Sequence, residues 1–518
     1  MLRKSVWLTA AIFVFSTLLP CLAGARQQVK ARIIAGALRV KVGESIHFDG
    51  RASTPGQSAR MHALFWDFND MDQVDVDAMG DTVSHFFNHT GASTVRLTVE
   101  NDLGERDQAE VAVEVLPDMD KGPSITDNFE GGRTGVFLST DDTFAFRLEW
   151  GNQFYFRIDN AEGQTVSVRI YGYGPKRKVP LSVTTYQDDY TFDAQFQAMV
   201  NTDYQNPRWE PLADAEYSYS PDDESMLIRF TPRAESVYLA WASPYTMRNL
   251  NALIERWEDN SNFYLTPIGL SIEGRPLYQI TISDSEVADR EKKVIWIIGN
   301  QHGYEMAAGP VCEGLAEALL APGESAAELR KQFVYHLVPL VNPDAVARGG
   351  YRYNMHDVDL NRNWDNLKLS PWDSEISEPE VAAVKRAIED WVDTGGGLDM
   401  FFDFHCLTVL SKNLLMIMAT PDSIPLKVAE QQERFVQDFF SKRYLWRISK
   451  NSSTGGACGA ISEMYAESTG VLSFTAEHCL GRITPKGKPM VRAAPELWRA
   501  LGADYVRTIK EYFDSIAE

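Results

Sequence analysis

Four predominantly apolar runs, at residues 294–298, 333–341, 400–404 and 471–474, alternate with stretches of helical periodicity in the C-terminal half of the chain. A strand that is apolar on both sides must be covered on both faces, and intervening helices supply that cover. The pattern therefore predicts an α/β domain with a mixed, mostly parallel sheet flanked by helices. Sheets of this kind gather ligands at the carboxyl ends of their strands. Upstream of about residue 241 the pattern differs. Runs such as 144–150, 154–158 and 166–170 alternate apolar and polar with period two, as half-buried strands do. The change comes after Ser243-Pro244-Tyr245-Thr246, where Leu250, Leu253, Ile254 and Trp257 recur at helical spacing.

At 518 residues the chain exceeds what one core organises, so several domains are expected. Arg3 and Lys4, the apolar stretch 6–19 and the small residues Ala23-Gly24-Ala25 have the form of a cleavable leader, assigned to residues 1–25. Lipid anchoring at Cys21 is the alternative. No other stretch approaches membrane-spanning length. The leader implies a secreted or periplasmic protein, in which Cys312, Cys406, Cys458 and Cys479 would meet an oxidising compartment. Four cysteines in so long a chain do not make a disulfide scaffold. Acidic residues outnumber Lys and Arg by 72 to 50, a net charge of −22, which argues against nucleic acid or an anionic membrane surface as partner.

Residues 26–118 read as a small β-sandwich, with strands near 46–48, 63–68 and 94–99. Phe48-Asp49-Gly50-Arg51-Ala52-Ser53, Phe65-Trp66-Asp67-Phe68-Asn69-Asp70, His85-Phe86-Phe87 with Gly91, and Val95-Arg96-Leu97-Thr98-Val99 resemble a PKD-type immunoglobulin-like domain. Trp66 and Phe68 would fill its core, and Asp67 and Asp70 would serve the turn. Such a module reads as a spacer, with no ligand site of its own. After a linker at 117–123, residues 119–246 form a second β-sandwich. Its dense Tyr and Phe fit a strand core; a glycan-binding face is the alternative, and protein contacts by either β region stay open. Lys176-Arg177-Lys178 reads as a solvated loop.

Residues 247–518 carry the chemistry. The apolar strand 294–298 ends in Gly299-Asn300-Gln301-His302-Gly303-Tyr304-Glu305, so His302 and Glu305 stand three apart at a strand-to-helix turn and can face one cation. His-x-x-Glu alone is a weak signal. His356-x-x-Asp359 has a similar form without the preceding strand. The third ligand comes from Phe401-Phe402-Asp403-Phe404-His405, a second apolar strand ending in His. Two histidines and a glutamate suffice for a catalytic zinc with one open position. Asp403, on the strand face of His405, could orient that imidazole or bond to backbone instead.

Gln301-His302-Gly303-Tyr304-Glu305, Asn342-Pro343-Asp344, Asp359-Leu360-Asn361-Arg362-Asn363, Ser377-Glu378-Pro379-Glu380, His405 and Ser473-Phe474-Thr475-Ala476-Glu477 occur in the order seen in zinc carboxypeptidases, and the resemblance covers about 250–518. Ile272-Glu273-Gly274-Arg275-Pro276-Leu277 looks like the family's first strand. The β block ending at Ser243-Pro244-Tyr245-Thr246 is similar to the N-terminal domain of cytosolic-type carboxypeptidases. The resemblance implies one Zn2+ per chain on His302, Glu305 and His405, with Glu477 as general base and Arg352 stabilising the oxyanion. It implies that Asn361 and Arg362 hold the terminal carboxylate of a peptide or protein substrate. Arg348 is a rival to Arg352. Three departures accompany it. Ala345 stands where the family has Gly, and Tyr465 is the nearest counterpart of a helper tyrosine. The segment 455–460, which would shape the side-chain pocket, offers no charge. Cys406 and Cys479 flank the proposed site, and a disulfide between them competes with two small buried side chains. The implied activity is hydrolysis of C-terminal peptide bonds. A related zinc deacylase or cell-wall peptide hydrolase, and a non-catalytic binding protein on the same scaffold, are the rival readings.

Overall fold

The computed structural model describes residues 29–517 except for internal stretches, of which 69–77, 172–196, 365–376 and 452–460 are the longest. The leader with Cys21, Asp70, Lys176-Arg177-Lys178 and the segment 455–460 with Cys458 lie outside the described residues.

The C-terminal sheet has eight strands, β1 (Phe263–Leu270), β2 (Pro276–Ile282), β3 (Lys293–Gly299), β4 (Phe333–Val338), β5 (Met400–Leu407), β6 (Leu414–Ala419), β7 (Trp446–Asn451) and β8 (Leu472–Cys479). They lie in the order β1-β2-β4-β3-β5-β8-β6-β7. The central β4, β3, β5 and β8 are mutually parallel, as their predominantly apolar runs predict. Antiparallel pairings of β1 with β2, β2 with β4 and β6 with β8 make the sheet mixed.

Six helices matter to the argument: α1 (Met247–Trp257), α2 (Ala308–Leu320), α3 (Pro343–Ala347), α4 (Pro379–Asp393), α5 (Ile461–Thr469) and α6 (Pro495–Ala517). Successive residues of β3 face opposite ways. Ile295 and Ile297 pack with Val311 and Leu315 of α2 and Leu501 and Ile509 of α6. Val294, Trp296 and Ile298 pack with Val381, Val384 and Ile388 of α4 and Tyr465 of α5. Both faces are dry, so polar groups needed for chemistry can gather only at the strand ends.

Among the described residues the second β region forms two five-stranded sheets. Its core residues Phe146, Phe156, Val168, Ile228 and Leu239 belong to the same apolar cluster as Leu250, Val311 and Ile295. The interior therefore does not divide at residue 246. Gly309 permits this contact: a Cβ there would lie 2.3 Å or less from the Tyr245 ring. The first β region closes on itself. Phe48, Trp66, Phe68, Val95, Leu97, Val99 and Val113 form a cluster drawn from residues 29–115 alone. Trp66 and Phe68 are buried as expected, whereas Asp67 lies on the strand Met61–Asp67 and accepts a hydrogen bond from Arg96 rather than serving a turn.

Among the described residues no helix is long and apolar enough to cross a membrane. Cys406 and Cys479 do not form a disulfide; both are buried thiols. The register explains it. Cys406 pairs with His478 and Leu407 with Cys479, so the two sulfurs are one residue out of step on adjacent strands.

Candidate active site

The carboxyl ends of β3, β5 and β8 bring the predicted ligands together. Chain leaves β3 through Asn300, whose φ of 55° turns it sharply, and reaches His302 and Glu305 just before α2. Gly303 lets this turn pass over α3, because a Cβ there would lie 2.5 Å from the Ala345 carbonyl carbon. Ala345 itself is helical and donates its N–H to Asn342 Oδ1, so the family's glycine is not needed at that position. Asp344 ties the turn to the loop before β2, accepting from Ser271 Oγ, the Glu273 N–H and Arg275.

His302 Nδ1 lies 2.8 Å from Glu305 Oε1, and His405 Nδ1 lies 2.7 Å from Glu305 Oε2. The two imidazoles, 5.0 Å apart at their centres, thus aim the same nitrogen at one carboxylate. The three side chains are buried and offer ligand atoms within 4.8 Å of one another. Each outer nitrogen has its own carboxylate: His302 Nε2 is 3.0 Å from Asp359 Oδ1, and His405 Nε2 is 2.7 Å from Asp403 Oδ2. Such outer contacts fix tautomer and ring plane, leaving Nδ1 to bind a cation. Asp403 is held in turn by Gln301 Nε2, and Gln301 Oε1 accepts from Trp364 Nε1. The donor set, two nitrogens and a carboxylate, suits zinc.

The electrostatics follow from the same contacts. Burial pushes Glu305 up, but His302 and His405 outweigh it and hold the carboxyl at about 2. Burial lowers the His405 pKa, and Asp403 and Glu305 more than reverse that, so without a cation the ring keeps its proton. A cation at Nδ1 must displace that proton, which ties metal affinity to pH.

Glu477 stands beside His405 in register on β8. Burial and the Glu305 charge raise it, against His405 and His302, and it comes to about 7. Arg352 is held at two points. Its Nε and Nη2 donate to Asp359 Oδ2 at 3.0 and 2.8 Å, and its Nη1 donates to the Tyr304 hydroxyl at 2.7 Å. Arg348 instead makes an exposed ion pair with Glu273, so it is Arg352 that stands beside Asp359 and Tyr304. Asn361 is buried, with Nδ2 3.2 Å from His405 Nε2 and its Oδ1 without a partner. Arg362 is exposed at the rim, donating to the Asn361 carbonyl.

One residue departs from expectation, and one was missed. Tyr465 packs on Phe401 with ring centres 4.9 Å apart, four residues before His405 and so about 13 Å back along the strand. It is a core residue away from the site. His356 bonds Glu378, while Asp359, given no role by the sequence reading, joins His302 to Arg352. Its place two residues before Asn361 was the available signal. Tyr304, in an unspecified position of His-x-x-Glu, carried none.

Residues 250–412 match the model of the zinc carboxypeptidase family, and residues 30–115 match the PKD domain. Human cytosolic carboxypeptidase 6 is 28% identical over 275 residues, 51% of either chain. An uncharacterized protein of Zymomonas mobilis is 27% identical over 284 residues, 54% of this chain and 66% of that one. The chain thus spans only about half to two thirds of these relatives' lengths. A metallo-carboxypeptidase from Burkholderia cenocepacia superimposes with a TM-score of 0.62 at 25% identity, over 76% of this chain and all of that one. Residues 247–518 are only about half of the 518, so that likeness extends into the second β region. On these matches residues 250–412 are similar to the zinc carboxypeptidase family and residues 30–115, ahead of them, to the PKD domain.

Proposed function

We propose that this protein is a zinc-dependent metallocarboxypeptidase that removes C-terminal residues from peptides. The observation that carries the reading is the convergence of both Nδ1 atoms on Glu305 while Asp359 and Asp403 hold the outer nitrogens, with Glu477 alongside. Zinc held by His302, Glu305 and His405 would polarise the scissile carbonyl and acidify a water. Glu477, raised toward neutrality by burial, is matched to accepting a proton from the attacking water and handing it to the departing amine. Arg352, charged and fixed by Asp359, directs N–H groups at the oxygen that gains charge. Arg362 at the rim and Asn361 with its unspent amide oxygen bracket the place for a terminal carboxylate. The assigned amide orientation can reverse to present Nδ2 as donor.

The test is metal analysis together with a peptide-library digest of wild type and Glu477→Gln. Wild type should bind one zinc and release C-terminal residues, and chelation should abolish that release. Glu477→Gln should keep its zinc and lose about 10²–10⁴-fold in rate. A variant with full zinc and full hydrolysis would remove the base assignment. Wild type that cleaves muropeptides but not hippuryl peptides would replace the substrate class. The leader at 1–25 places this activity outside the cytoplasm in our reading, which the N-terminal sequence of exported protein checks.

A further inference from the structure

Between the two metal-binding residues of His302-x-x-Glu305, the Tyr304 side chain turns toward Arg352. Its hydroxyl accepts a hydrogen bond from Arg352 Nη1 at 2.7 Å. Its ring lies nearly parallel to the His302 imidazole, at 14° and 5.8 Å between centres. Its backbone carbonyl accepts from Gln153 Nε2 at 2.7 Å, a side chain of the second β region. Across from it, Gly350 takes φ of 77°, and a Cβ there would lie 3.1 Å from Tyr304 Cα. The phenol is thus fixed from three sides in a buried position, with 8% of the residue exposed.

A donor count shows what this arrangement leaves over. A guanidinium has five N–H groups. Arg352 directs three of them, from Nε, Nη2 and Nη1, at Asp359 and Tyr304. One N–H on each terminal nitrogen remains. The Tyr304 oxygen accepts from a cation, so its own proton points elsewhere. A hydroxyl polarised by a charged donor is itself a stronger donor.

We propose that Tyr304 is a catalytic residue that donates its hydroxyl proton in a hydrogen bond to the same substrate oxygen that Arg352 addresses. The inference rests on the carboxypeptidase reading above. The site then holds two adjacent donors of different kinds, one charged and one neutral, on a single oxygen. Asp359 anchors them from the loop before Asn361 and Gln153 from the second β region.

The test is steady-state kinetics on hippuryl peptides with Tyr304→Phe, which keeps the ring on His302 and removes only the hydroxyl. The expected result is unchanged zinc content, a similar KM and a kcat lower by about 10²-fold, the loss seen when one oxyanion donor is removed. Tyr304→His, a ring that retains a donor, should recover part of that loss. A Tyr304→Phe enzyme with full zinc and a kcat within twofold of wild type would overturn the inference. Action solely through Arg352 is separated by adding Tyr304→Phe to Arg352→Ala. A direct donor still costs the double variant severalfold, whereas no further loss overturns the donor role. Wild type that cleaves no peptide would sink the carboxypeptidase reading first, and this inference with it.

Discussion

Residues 29–115 and residues 124–240 are both sandwiches of short strands whose inward side chains alternate with polar ones. Their cores close differently. The first cluster, around Phe48, Trp66 and Leu97, draws among the described residues only on positions 29–115. The second, around Phe156, Val168 and Ile228, continues into α1, α2 and the β3–β5 face of the peptidase sheet. Polar contacts repeat the distinction. Gly131 N–H donates to the Ala347 carbonyl, Arg133 to the Gly350 carbonyl and Gln153 to the Tyr304 carbonyl, and each contact lands on the turns that carry Tyr304 or lead to Arg352. Two regions with the same local pattern therefore differ in kind: one is an appended module, the other shares the interior of the C-terminal sheet.

Truncation is the severest way to break this comparison. Removing residues 26–118 should leave zinc binding and kcat/KM within about twofold of the full chain. Removing residues 26–246 should abolish soluble, folded protein, because it strips the apolar face that Tyr245, Leu250 and Val311 share with the sandwich. Expression, zinc content and circular dichroism of the two truncations read the difference. A well-folded, active 247–518 fragment would show the second region to be as separable as the first.

Single core deletions should divide the same way. Trp66→Ala and Phe156→Ala each empty a fully buried aromatic site and should cost about 3–5 kcal/mol locally. In Trp66→Ala the loss should appear as a separate early melting step with peptidase activity intact. In Phe156→Ala unfolding and inactivation should move down together, since the core is continuous. Differential scanning calorimetry read beside residual activity resolves the two. Coincident loss in both variants would mean that the modules are coupled.

How far this organisation could be read from sequence depends on the residue. His302, Glu305 and His405 were legible because an apolar strand that stops at a His leaves that side chain at the sheet's functional end. Glu477 followed from order along the chain. Arg352 and Arg348 were not separable, since both lie in the stretch after the Asn342-Pro343-Asp344 turn; the fold pairs Arg348 with Glu273 and Arg352 with Asp359. Asp359 was given no role, because linear spacing does not reveal a loop that folds back on His302. The joining of the second sandwich to the peptidase sheet was equally hidden. Period-two alternation says which side chains are buried, never against what.

Glu130 offers a pH test of that joint. It is buried between the second sandwich and α1, where Oε1 accepts the Met247 N–H at 3.0 Å and Oε2 has no partner. Burial raises its pKa to about 7, against hydrogen bonds from Thr246 and Met247 and the charges of Arg248 and Arg275. The folded state thus binds this proton more tightly than the unfolded chain does. Its contribution is fully present below about pH 4.5, falls as pH rises to about 7 and is flat above that, a span of about 3 kcal/mol. Glu130→Gln should flatten that part of the stability profile and raise stability at pH 8. Urea melts at pH 4.5, 6 and 8 would show it. An unchanged slope in the variant would mean that the joint does not desolvate this carboxyl.

The smallest expected effect is the most selective. Arg133 Nη1 donates to the Gly350 carbonyl at 3.0 Å, across the seam from the second sandwich to the turn that places Arg352. Gly349 and Gly350 both take positive φ there, and Gly349 passes so close to Gly132 that a Cβ would lie 2.4 Å from the Gly132 carbonyl oxygen. Such a turn is held by its contacts rather than by its own preference. Arg133→Ala should therefore leave zinc content intact and lower kcat/KM about tenfold, about 1.4 kcal/mol of transition-state stabilisation, by letting Arg352 wander. Arg133→Lys, which keeps a donor and a charge, should recover part of the loss. Arg96→Ala is the matched change in the first sandwich, breaking bonds to Asp67 and Glu110, and should leave kcat/KM untouched. Equal rates for Arg133→Ala and wild type would confine the second sandwich to packing, because a scaffold that only buries apolar surface would not register the loss of one guanidinium at the turn.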